Sequence, residues 1–105
     1  MNPRYGEVWL TDLGMAGKIR PVVVMLAEDV PVDRTLIIHM PVTRQARGGP
    51  LEVSLGHLPF LDRESVANTQ AIGALPRVRF EKRLGVLPAV DLDRIKKALK
   101  LACAL

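Results

Sequence analysis

Between Glu7 and Leu61 no stretch of helix length separates one apolar run from the next. Each run is short and stops at a glycine, a proline or a cluster of charge. Parallel strands need a crossover of a dozen or more residues between them, so a βαβ sheet is disfavoured and antiparallel strands joined by turns are expected. Glu7–Leu13 is aromatic and β-branched and suits a strand. Val22–Ala27 is the most apolar run, and Pro21, which has no N–H, suits its first position and biases Arg20 toward extended backbone. Thr35–Thr43 is again β-rich, with Pro41 expected at an edge or a bulge. Leu51–Leu55 alternates, its even positions facing water. Ser65–Ile72 is a weak strand of ambiguous facing, and Leu75–Phe80 suits a single turn. The glycine-bearing stretches 14–18 and 44–50 read as loops.

Only the end of the chain has helical period. From Ala89 to Leu105, Leu92, Ile95, Leu99, Ala102 and Cys103 recur at helical spacing, with Asp91 and Asp93 near the positive end of the dipole and Lys96, Lys97 and Lys100 further along. Leu87-Pro88-Ala89 offers no side-chain oxygen to cap that helix. Five or six short strands closed by one amphipathic helix resemble a small barrel. At 105 residues the chain is expected to be a single domain over 1–105, too short for a dinucleotide enzyme built from two mononucleotide-binding halves.

Chemistry is thinly signposted. There is no phosphate loop, no dinucleotide fingerprint and no HExxH. One cysteine and two histidines, His39 and His57, do not supply the four ligands of a structural zinc site, so no metal and no cofactor are expected. His39 reads as a core histidine, His57 as structural or exposed, and Trp9 as core. Cys103 has no intrachain partner and is expected to be a buried thiol in a reducing compartment. No apolar stretch approaches the length that spans a bilayer and no secretory h-region opens the sequence, so a cytoplasmic protein without membrane contact is expected. The net charge of +4 permits a polyanionic partner without requiring one. Arg44 and Arg47 flank one loop, and Arg77, Arg79, Lys82 and Arg83 gather in another segment; each group suits either a solvated surface or phosphate contacts.

Five segments together carry a resemblance: Gly6-Glu7-Val8-Trp9-Leu10-Thr11-Asp12-Leu13, Arg20-Pro21-Val22-Val23-Val24, Pro41-Val42-Thr43, Ser65-Val66-Ala67-Asn68-Thr69-Gln70, and Lys82-Arg83-Leu84-Gly85-Val86-Leu87 before the terminal helix. In this order and spacing they resemble the MazF/PemK family of toxin endoribonucleases over nearly the whole chain. The resemblance implies a mainly β fold, a small, partly open SH3-like β-barrel with a C-terminal amphipathic helix. It also implies a homodimer that cleaves single-stranded RNA without metal and is neutralised by a cognate antitoxin. On the family's motifs, Arg20 and Thr43 match the catalytic positions and Gln70 a supporting one; Lys18, Arg44 and Arg47 are expected to contact RNA. Glu28 is a candidate contributor to the general base, with a solvated loop charge as its other reading. This chain departs from the family's pattern at Ala27-Glu28-Asp29 and at Gln70-Ala71-Ile72-Gly73, which lacks the arginine many members carry. A barrel toxin directed at a protein such as DNA gyrase, or a degenerate RNA-binding member, are the alternatives; an enzyme needs the Arg20 and Thr43 pair and a gyrase binder does not.

Overall fold

Alternation along the first strand buries both of its faces. In β1 (Glu7–Asp12), Val8 joins one apolar cluster with Val23, Met40, Val42 and Ala67, while Trp9 joins another with Val22, Val24, Ile37 and Phe80. The computed structural model describes residues 2–14 and 18–105, so the tip of the first expected loop, 15–17, lies outside the described residues. After β1 come β2 (Ile19–Val24), β3 (Leu36–Thr43), β4 (Glu52–Ser54), β5 (Val66–Asn68), β6 (Gly73–Pro76) and β7 (Phe80–Val86), then the helix α1 (Ala89–Cys103). All strand pairs are antiparallel, in the order β4-β5-β3-β2-β1-β7 with β6 also on β3. The result is a mainly β, seven-stranded sheet that curls without closing, followed by the expected C-terminal helix.

The two prolines sit where their missing N–H is tolerated, though not at the expected places. Pro21 is the third residue of β2, opposite Leu10 of β1, and the ladder from β2 to β3 begins only at Val22, opposite Pro41. Pro41 lies inside β3, which is not an edge strand. The other side of β3 changes partner around it: β6 pairs with Leu36–His39 and β5 with Val42 and Thr43, leaving Met40 and Pro41 between. The segment read as a single turn is shared between the end of β6 and a 3-10 turn at Arg77–Arg79 that leads into β7.

The helix is shorter than its pattern by two residues and its core contact stops early. Asp91, Ile95 and Ala98 are buried, one stripe spaced by three or four, and nothing after Ala98 is. Replacing Ile95 by Ala would cost about 2–5 kcal/mol, because it is fully enclosed in the first cluster. Pro88 supplies no side-chain cap; the Asp91 and Leu92 N–H groups donate to its carbonyl at 3.1 Å. The Asp91 carboxylate accepts from Arg94 at 3.1 Å and lies 2.9 Å from His57 Nε2, which stations a buried anion at the positive end of the helix. Cys103, expected to be buried, is exposed: residues 101–105 are all exposed, so the last turn of α1 has no core against it. Among the described residues no helix is long and apolar enough to cross a membrane.

Candidate RNA-cleaving site

The loop 44–50 splits one end of the sheet into two hollows. Side chains alternate along a strand, so the last residues of β3 diverge: Val42 and Arg44 line one hollow, Thr43 and Gln45 the other. The first, of about 480 Å³, also has Arg20, Pro21, Phe60 and Asp62 in its wall. The second, of about 510 Å³, adds Arg47, Glu52, Asn68 and Gln70.

In the first hollow Arg20 stands half-buried near the start of β2, opposite the fully buried Thr11, and among the described residues it makes no ion pair. Arg44 lies 3.3 Å from Asp62, with both side chains more than half exposed, a pair worth little in water. The Phe60 ring packs against Gly85: a Cβ there would lie 2.5 Å from the ring, so glycine is what lets the aromatic wall form.

In the second hollow Thr43 Oγ1 accepts the Gln45 N–H at 3.1 Å, which leaves the hydroxyl proton free to donate to a ligand. The Glu52 carboxylate accepts the N–H groups of Arg47 and Gly48, each at 2.8 Å. Gly48 has φ +80°, a conformation other residues rarely adopt, and the loop is thereby pinned to β4. The two guanidinium groups of the first hollow, and the Arg47 guanidinium with the Thr43 hydroxyl in the second, are donors that can hold phosphoryl oxygens. Among the described residues no group of three or more His, Cys, Asp or Glu side chains gathers in a way that could hold a metal ion.

A sequence model of the PemK-like, MazF-like toxins of type II toxin–antitoxin systems matches residues 4–103. The chain belongs to this toxin family. Among solved structures the toxin is similar to MazF from Deinococcus radiodurans, at 28% identity and TM-score 0.81, covering 100% of this chain and 99% of that one. It shares its fold with a mycobacterial endoribonuclease in complex with its cognate antitoxin, at 22% identity and TM-score 0.85 over 98% and 96% of the two chains. It also shares it with the Mycobacterium tuberculosis toxin MazF-mt6, at 24% identity and TM-score 0.83 over 94% and 97%.

In this toxin the residues singled out in sequence do not all meet. Arg20 shares a hollow with Arg44, and Thr43 shares one with Gln70 and Arg47. Arg20 and Thr43 do not line a common hollow. The register of β2 on β3, carried two residues on, would set them opposite each other; the ladder stops at Val22, next to Pro21, which has no N–H to continue it. Lys18 is exposed and lines neither hollow. Glu28 lies elsewhere, 3.1 Å from Arg4, in a third hollow of about 610 Å³ with Glu7, Trp9, Arg77 and Arg83.

That third hollow is built around Glu7. Its carboxylate accepts the Arg4 N–H at 2.7 Å, the Trp9 indole N–H at 3.0 Å and Arg83 at 3.2 Å. Burial pushes the acid up, and those hydrogen bonds with the Arg83 charge outweigh it, holding Glu7 below the usual carboxylate range. His39 and Trp9 are core residues as expected. Burial holds the His39 imidazole below its ordinary value, the nearby Ile37 backbone offsetting only part of this, and its buried Nδ1 has no hydrogen-bond partner among the described residues. Sequence reading missed Gln45, Glu52 and Asn68. Glu52 was legible only as an alternating, water-facing position, since its partners are backbone N–H groups without a side-chain signature.

Proposed function

We propose that this toxin endoribonuclease cleaves single-stranded RNA through attack of a ribose 2'-hydroxyl on the adjacent phosphorus, with Arg20 facing the phosphoryl oxygens. The observation that carries the reading is the state of Arg20: half-buried in a hollow, with its charge unspent on any carboxylate among the described residues. In the reaction the O2'–P bond forms and the P–O5' bond breaks; the 2'-hydroxyl gives up a proton and O5' gains one. The substrate brings its own nucleophile, so the protein's task is to orient the phosphate and stabilise its growing charge. Arg20 performs the larger share because a guanidinium presents several charged donors in one plane, and it stays protonated and so is not the base. Thr43 adds a neutral donor, Gln70 supports it, and Arg44, Arg47 and Lys18 hold flanking phosphates. Glu28, which lines neither of these two hollows, has no part in this assignment.

The whole chain acts as one domain in this reading, in the cytoplasm. It pairs as a homodimer through apolar side chains left uncovered on the surface, among them Leu36, Ile38, Leu101 and Leu105, the last 81% exposed. A cognate antitoxin silences it by occupying the hollows at Arg20 and Thr43, a partner suggested by the mycobacterial endoribonuclease that is bound to its own. Incubation of the purified protein with single-stranded RNA in EDTA, followed by end-group mapping, tests the chemistry. The expected products carry a 2',3'-cyclic or 3'-phosphate and a 5'-hydroxyl; a strict need for Mg²⁺, or a 5'-phosphate, overturns it. Sedimentation equilibrium is expected to return twice 11.6 kDa.

A further inference from the structure

We propose that the hollow on the Thr43 side of the loop is a nucleobase pocket in which Gln45 and Asn68, together with Gln70, set the sequence at which the toxin cuts. The inference rests on the RNA-cleaving reading above and adds to it the residues that choose the base.

Three carboxamides converge here: Gln45 from the loop, Asn68 from the end of β5 and Gln70 from the 3-10 turn that follows. A carboxamide offers a donor and an acceptor side by side, the pattern that matches the edge of a base bidentately. Among the described residues none of these three side chains hydrogen-bonds another part of the chain, whereas the neighbouring carboxylate is fully engaged. Glu52, opposite Asn68 across β4 and β5, spends both oxygens on the Arg47 and Gly48 N–H groups. The acid therefore fixes the loop that carries Gln45, and the N–H groups it accepts from stabilise its charge next to the pocket. Pro50 and Leu51 give the pocket apolar surface for the faces of a base, and no aromatic side chain lines it. Discrimination then comes from hydrogen bonds to the base edge, which unpaired RNA exposes, rather than from stacking. The position suits the task as well. Thr43 and Arg44 are consecutive and face opposite hollows, so a phosphate at Arg20 and a neighbouring base at Asn68 would straddle one loop.

The test is cleavage of a pool of RNA oligonucleotides randomised over several positions, with the cut ends sequenced, for the wild type, Gln45→Ala and Asn68→Ala. The wild type is expected to prefer one base at a position beside the cut. Both variants are expected to relax that same position by about 5- to 150-fold, the span of 1–3 kcal/mol per bidentate contact, with the other positions unchanged. A melting curve accompanies each variant; should Asn68→Ala fail to fold, Asn68→Ser takes its place, and Gln45 lies on an exposed loop where truncation costs little. Unchanged preferences in both variants, relaxation at two different positions, or a wild type that cuts without preference overturns the pocket while leaving the cleavage reading intact. A wild type that does not cut RNA overturns the cleavage reading itself, and the pocket with it.

Discussion

The two ends of this barrel treat arginine differently. In the hollow around Glu7 two of the three arginines are matched to a carboxylate, Arg83 to Glu7 at 3.2 Å and Arg4 to Glu28 at 3.1 Å, and Arg77 makes no ion pair among the described residues. At the Arg44–Pro50 end, Arg20 and Arg47 are in no ion pair among the described residues, and Arg44 has only an exposed partner. Both ends are concave, both are basic, and the hollow around Glu7 is larger than either of the other two. Neither cavity size nor a count of cations therefore locates the chemistry. What separates Arg83 from Arg20 is whether the charge is already spent: a guanidinium satisfied by Glu7 stabilises the fold, and one left free can meet a phosphate.

The comparison is broken most directly by exchanging the fates of two arginines. Arg20→Ala is expected to lower single-turnover RNA cleavage by about 10²- to 10³-fold, as for the loss of one donor to a developing oxyanion, with the melting temperature unchanged. Arg83→Ala is expected to do the reverse, leaving the cleavage rate near wild type and lowering the melting temperature. Equal effects on cleavage from both would erase the distinction.

A second measurement sharpens the structural end. Glu7→Gln is expected to lose about 1.5–3 kcal/mol in urea unfolding, because charge-assisted hydrogen bonds to a buried carboxylate are replaced by weaker ones. Glu7 is held below its ordinary value of 4.5, so its contribution is present above that pH and is lost as the pH falls through the folded value. The wild type should accordingly lose stability below about pH 4.5 more steeply than the variant, which unfolding at a series of acid pH values would check.

At the other end, Thr43→Ala is expected to slow cleavage by about 2- to 10-fold, since a neutral hydroxyl contributes about 0.5–1.5 kcal/mol. A loss as large as that of Arg20 would place the main charge stabilisation in the Thr43 hollow instead. The smallest effect belongs to neither end. His39 is buried beside Phe80, their ring centroids 6.2 Å apart, and is held neutral in the fold. Its folded value lies below 6.5, so the unfolded chain takes up the proton first and stability falls as the pH drops from 6.5. Melting temperatures between pH 7 and pH 5 should show a decline of a few degrees that His39→Gln flattens.

Legibility in the sequence followed how local each signal was. The helix was readable because Leu92, Ile95 and Leu99 recur at its own period, and β1 because Glu7–Leu13 is an aromatic and β-branched run. Strand β6 was not: Gly73-Ala74-Leu75-Pro76 has no β-branched residue and is extended only because β3 pairs with it from Leu36 to His39. Cys103 misled for a related reason, since an apolar position on a helix is buried only where something lies against it, and the buried stripe of α1 ends at Ala98. At the site, the pattern around Arg20 and Thr43 spoke through its resemblance to other toxins, while the bonds from Arg47 and Gly48 to Glu52 are made by backbone and leave no mark on residue type. That Arg20 and Thr43 line different hollows depends on where the ladder between β2 and β3 ends, a tertiary feature with no local signature.

Strand β3 is fastened twice along one edge, to β6 over its first half and to β5 at its end, with Met40 and Pro41 between. A slip of one residue would have to be made against both neighbours at once, and it would turn Met40 and Val42 out of the first cluster. Whatever happens beyond Thr43 is insulated from the barrel by that double stitch. Insertions, deletions and exchanges in the seven residues 44–50 are edits to the reach of the loop and not to the frame that carries it. Side chains at 45 and 47 can thus be exchanged without disturbing the part of the chain that has to fold.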